Sequence, residues 1–145
     1  MDVPPVTRDL KPYRRTDAPW GLARISHTNP VSGDIKGLNY TYTYGDEFLG
    51  AGIDIYVVDT GVNLDHVGDK LLSSTTSLEK ADDPQLLFLQ ADFGGRAVFG
   101  WTGAGLAKTD DHGHGSHVAG IAAGTRYGVA KRANVISVKV LNSSG

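Results

Sequence analysis

From Gly115 to Gly124 the chain reads Gly-Ser-His-Val-Ala-Gly-Ile-Ala-Ala-Gly, a helix of small and aliphatic residues with Gly124 as its stop. Side chains this short let a helix press closely on a sheet, so the segment restricts the chain to helix-on-sheet layering. Apolar runs on either side in sequence supply the sheet. Ile53 to Val58 is short, rich in β-branched residues and bounded by Gly50-Ala51-Gly52 and Thr60-Gly61, which predicts a buried parallel strand ending at Asp59. Asn134 to Leu141 repeats that character, giving the order strand, helix, strand. Units of this kind cross over right-handedly and collect their chemistry at the carboxyl ends of the strands. Asp59 is therefore expected beside the start of the helix that bears His114.

With 145 residues, 40% of them hydrophobic, and a formal net charge of -2, the chain has the profile of one ordinary domain and not of a tail, a fibre or a membrane protein. Arg8, Lys11, Arg14 and Arg15 form a short basic run interrupted by Pro12 and Tyr13, with acids close by, and read as a solvated arm, so no nucleic acid partner is expected. The absence of cysteine excludes disulfides, thiolate catalysis and cysteine-ligated zinc. No apolar stretch is long enough to cross a bilayer, and no membrane partner is expected. Met1-Asp2-Val3-Pro4-Pro5 has neither the basic start nor the apolar core of a secretory signal, so no signal peptide is read here. Pro4, Pro5 and Pro12 mark residues 1–17 as an extended N-terminal arm ahead of a domain over 18–145.

His114 lies between Gly113 and Gly115 at the mouth of the small-residue helix, and Asp59 closes an apolar strand. A buried acid that aims a histidine is two thirds of a charge-relay hydrolase. Each residue also has a plainer reading. Asp59 alone could be a strand-end residue bonded to a turn, or the ribose-binding acid of a nucleotide fold, although Thr60-Gly61-Val62 lacks a glycine-rich phosphate loop. His112, His114 and His117 could converge on a metal ion, but His112 sits in a glycine-flexible loop and no cysteine completes the set, so no metal site is expected. Ser116 projects from a different angle of the same turn and reads as a cap or packing hydroxyl. Trp20 and Tyr127 read as core or groove-lining aromatics.

Four blocks in order, Ala18-Pro19-Trp20-Gly21-Leu22-Ala23-Arg24-Ile25-Ser26, Val58-Asp59-Thr60-Gly61-Val62, His114-Gly115-Ser116-His117-Val118-Ala119-Gly120 and Tyr127-Gly128-Val129-Ala130, resemble the subtilisin-like serine proteases, particularly the proteinase K group. The resemblance runs from about Ala18 to Gly145. It implies an α/β fold with a partial doubly wound, mainly parallel sheet, truncated to the N-terminal half of a peptidase domain. It further implies that Asp59 is the catalytic acid and His114 the general base of a serine endopeptidase acting on proteins or peptides. His117 would be a packing residue, with Gly113 and Gly115 allowing the tight turn into the helix. The family's nucleophilic serine and oxyanion-donating asparagine belong to blocks absent from this sequence, so the chain alone is expected to be inactive. Half a sheet would leave an open edge and uncovered apolar faces, and a marginal or aggregating monomer is expected. The competing reading is a catalytically dead module that pairs through that edge with a C-terminal half or a propeptide. Family likeness also implies a secreted enzyme stabilised by calcium, with Thr28 matching one ligand of a weak site; no cofactor is expected in this chain itself.

The separation of Asp59 from His114 exceeds what the resemblance predicts. Without Val67 to Gln90 the chain would read Gly-Val-Asn-Leu-Asp-His followed by Ala-Asp-Phe-Gly-Gly-Arg-Ala-Val, much like the family's loop after the acid. Valine codons begin with GT, Gln90 can be CAG, Leu86 to Leu89 can be a pyrimidine tract and Ala81-Asp82 can spell GCTGAC. Residues 67–90 are accordingly read as a retained in-frame intron, against a genuine surface insertion.

Overall fold

Along the strand Asn134–Lys139, Val135, Ser137 and Lys139 are buried while Asn134, Ile136 and Val138 are only partly covered, an alternation that sets one face of a sheet against a helix. The computed structural model describes residues 12–45, 48–64 and 92–145. The proposed insertion 67–90 lies outside the described residues, as does the arm up to residue 11. In chain order the elements are β1 (Tyr13–Ala18), α1 (Trp20–Ser26), β2 (Tyr40–Tyr44), β3 (Asp54–Asp59), β4 (Ala97–Thr102), α2 (His114–Ala123) and β5 (Asn134–Lys139). They divide into two units, Met1–Phe48 and Leu49–Gly145.

In the first unit β1 and β2 pair antiparallel, from Tyr13 opposite Tyr44 to Ala18 opposite Tyr40, with an irregularity between Arg15 and Ala18. Residues 13–17, read from the prolines as arm, are extended as strand β1. Ala18, Leu22 and Tyr42 form the buried core of this unit, and the Tyr13 and Tyr44 rings stack at 5.7 Å. Trp20 opens α1 and donates its indole N–H to the Val31 carbonyl at 3.0 Å.

The second unit is α/β with a parallel three-stranded sheet in the order β3-β5-β4. Asp54 to Asp59 run in register with Asn134 to Lys139, so Asp59 and Lys139 end their strands side by side. Gly115, Ala119 and Ala123 are the buried residues of α2. Their spacing places them on one helical face, which packs with Val57, Val62, Ala133 and Val135. Gly124 caps the helix, donating its N–H to the Gly120 carbonyl at 2.9 Å.

Two sequence expectations need correction. The order is not strand, helix, strand: β4 lies between β3 and α2 in the chain and pairs with β5 from the far side. Its pattern is broken by a register shift between Phe99 and Trp101 at Gly100, so the alternation that signals a strand is interrupted. Nor is β3 buried on both faces. It is an edge of the described sheet, and Tyr56 and Val58 are 63% and 61% exposed while Val57 is 5% exposed.

Candidate active site

Asp59 is the last residue of β3 and His114 the first of α2, and the parallel crossover brings the two ends together. His114 Nδ1 lies 2.8 Å from Asp59 Oδ1 and 2.9 Å from Oδ2. The carboxylate also accepts the Thr60 backbone N–H at 2.6 Å. Burial pushes the Asp59 carboxyl up, but the hydrogen bonds from His114 and the Thr60 backbone, with the charge of His114, outweigh it and hold the group below its ordinary value. An ionised carboxylate has no proton to give, so the bridging proton is carried by Nδ1, which in a neutral imidazole places the lone pair on Nε2. The acid is mostly covered, its side chain 14% exposed, whereas the imidazole is 58% exposed. A fixed anion behind an accessible imidazole is an arrangement suited to taking up and returning a proton.

The start of α2 is held without a side chain from its own N-cap residue. Gly113 occupies that position with φ 95°, a left-handed conformation that a residue with a Cβ adopts only at a cost. The helix N–H groups are satisfied from elsewhere, Gly115 by Thr60 Oγ1 at 3.0 Å and Ser116 by Asp110 Oδ2 at 2.8 Å. Asp110 further accepts the N–H of His112 and Gly113, the Ser116 hydroxyl at 2.6 Å and the Thr60 hydroxyl at 2.8 Å. Burial raises the Asp110 carboxyl, yet these donors, led by the Ser116 hydroxyl, hold it far below its ordinary value. Gly115 matters for a separate reason, since a Cβ there would fall on the Gly61 carbonyl oxygen. That absence of a side chain lets α2 approach the end of β3.

Lys139, fully buried beside Asp59 in the sheet register, sends its ammonium group to the Thr60 carbonyl and to Asp111 Oδ1, the latter at 2.6 Å. Its hydrogen bond and charge lower the Asp111 carboxyl. The segment leading into His114 is thus tied to the sheet through both of its carboxylates.

Ser116 is a structural hydroxyl here, donating to Asp110 and accepting the Asn63 N–H at 2.9 Å. His117 does not pack. It is exposed, because two residues along a helix from Gly115 place it well away from the buried face of Gly115, Ala119 and Ala123. The His112 ring stands edge-on to that of His114 at 6.3 Å, and no group of three or more His, Cys, Asp or Glu among the described residues could hold a metal ion. Thr28 is exposed beyond the end of α1. Tyr127 is partly buried, with the Arg126 guanidinium 5.8 Å from its ring. Sequence reasoning passed over Thr60, Asp110 and Lys139. The available signals were an acid just ahead of a helix start whose N-cap is glycine, and a lone charge inside the apolar run Val138-Lys139-Val140.

Known proteins resemble this chain in sequence and in fold. The family model described as "Subtilase family" matches residues 50–145. The chain is 42% identical over 132 residues to "Subtilisin-like protease 3" of Pseudogymnoascus destructans, which covers 90% of this chain and 26% of that protein. It is 41% identical over 150 residues to "Subtilisin-like protease 8" of Arthroderma benhamiae, covering 99% of this chain and 25% of the other. A solved structure, "Crystal structure of a cold adapted subtilisin-like serine proteinase", superposes with a TM-score of 0.58 at 34% identity over 89% of this chain and 36% of that one. The chain therefore spans about a quarter of the length of these two curated relatives.

Proposed function

This chain belongs to the subtilase family, and from that membership we propose that it supplies the acid and the base of a serine endopeptidase whose nucleophile lies outside these 145 residues. The contact that carries the reading is His114 Nδ1 on the Asp59 carboxylate at 2.8 Å. In the assembled enzyme Asp59 fixes the imidazole tautomer and stabilises its cationic form. His114 Nε2 takes the proton of the attacking serine hydroxyl as the acyl bond forms, then returns it to the departing amine. Neither residue makes a covalent bond to the substrate. The serine and a donor for the oxyanion complete the site, and without them the pair has no attacking oxygen to activate.

The substrates of the assembled enzyme are proteins or peptides, and its place of action is outside the cell, as the family likeness implies. Calcium enters this reading as a stabilising ion with Thr28 among its oxygen ligands, and takes no part in the proton transfers. Purified chain incubated with a peptide substrate is expected to show no turnover. Turnover by pure chain that a serine-directed inhibitor abolishes would contradict the assignment of the nucleophile to residues elsewhere. The place of β3 at the end of the described sheet favours a second reading, a catalytically dead module that pairs through this edge. Mixing with the remaining part of a relative's peptidase domain separates the two. Proteolysis that appears on mixing supports the enzyme, and stable binding without proteolysis supports the module.

A further inference from the structure

Thr60 bonds Asp59 and the start of the helix that carries His114. Its backbone N–H donates to Asp59 Oδ1 at 2.6 Å, its hydroxyl accepts the N–H of Gly115, the residue after His114, and the same hydroxyl donates to Asp110 Oδ1 at 2.8 Å. Asp110 in turn accepts from Gly113 and Ser116, so it grips the chain on both sides of His114. Thr60 itself is 1% exposed, so bulk water has little access to its hydroxyl.

We propose that Thr60, acting with Asp110, is a positioning residue that sets the imidazole of His114 on the Asp59 carboxylate. The proposal rests on the reading of Asp59 and His114 as an acid and base pair. The physical need is plain. His114 is the first residue of its helix, preceded by a glycine, and its side chain is mostly exposed, so packing alone does not hold it. Shear between the strand end and the helix start would move the imidazole off the carboxylate, and the Thr60 hydroxyl, following the strand and bonded to the Gly115 N–H, restrains it where the two meet. Valine keeps the shape of threonine but would leave the Gly115 N–H and one Asp110 oxygen short of a partner at a buried position.

The test is proton NMR of the full 145-residue chain, following the His114 Nδ1–H signal and its exchange with water, alongside the backbone amide of Val135 in the core. D59N removes the low-field signal if the acid and base pair exists. T60V is expected to speed exchange of the His114 Nδ1–H by roughly tenfold while that of Val135 stays within about twofold, and T60S is expected to restore the wild-type rate. Parallel acceleration of His114 and Val135 would show a merely structural role and overturn the proposal, as would a T60V signal identical to wild type. Should T60V fail to fold, D110N decides in the same way, since it weakens the same clamp from the other side. A wild-type chain with no low-field His114 signal sensitive to D59N would instead overturn the acid and base reading itself.

Discussion

Asp59 and His114 are separated by 55 positions in sequence, yet their side chains meet at 2.8 Å because each sits at the end of a regular element. The carboxylate acts as an acceptor only, and that property fixes the proton on Nδ1. D59N retains the shape but can offer its NH2 to Nδ1, which favours the wrong tautomer. In the assembled enzyme it is expected to lower kcat by about 10⁴-fold with KM little changed, as steady-state kinetics would show. Asp110 yields a prediction about acid stability. Its carboxyl is held far below the ordinary value of 3.8, so the folded chain binds this proton more weakly than the unfolded chain. The associated stabilisation is complete above the ordinary carboxylate range and is lost as pH falls toward the folded-state value. Urea midpoints measured from neutral pH down into the acid range should therefore fall less steeply for D110N than for wild type. Equal slopes would show that Asp110 makes no such contribution.

Helix α2 was legible because its composition is extreme and glycines mark both ends, and β3 and β5 because β-branched runs stop at turn signals. Strand β4 was not, since Gly100 interrupts its alternation and Gly94, Gly95 and Gly103 surround it with the residues of a loop. A Cβ at Gly100 would meet Ile136, so the glycine that hides the strand also permits its pairing with β5. The acid and the base could be read from residue type and topology, whereas the Thr60 and Asp110 clamp depends on tertiary hydrogen bonds that no local pattern encodes. Gly115 tests the closeness of α2 to the sheet. G115A places a methyl group on the Gly61 carbonyl, and the cost is expected to be about 1–3 kcal/mol, measured as a lowered urea midpoint. Alanine at Gly120 is expected to be tolerated better, because a Cβ there would come no closer than 3.9 Å to the Asp92 carboxylate. Similar losses at the two positions would contradict close packing at Gly115.

On the sheet face away from Val57, Val135 and Ser137, Tyr56, Ile136 and Val98 share one cross-strand row, and Val58, Val138 and Trp101 the next. Tyr56, Val58, Val98 and Trp101 are 63%, 61%, 48% and 56% exposed, an apolar surface that folded chains seldom present to water. The isolated chain is expected to bind a hydrophobic dye strongly and to associate as its concentration rises, and charged replacements at Tyr56 and Val58 should reduce both effects. The catalytic account is decided by joining this chain to the remaining length of a relative, in place of the quarter that it matches in "Subtilisin-like protease 3". Peptide hydrolysis by the fusion is the measurement. The account predicts turnover that H114A and D59A each reduce by at least about 10³-fold without unfolding the protein. Turnover that survives H114A, or a folded fusion with intact serine and no turnover at all, would contradict it.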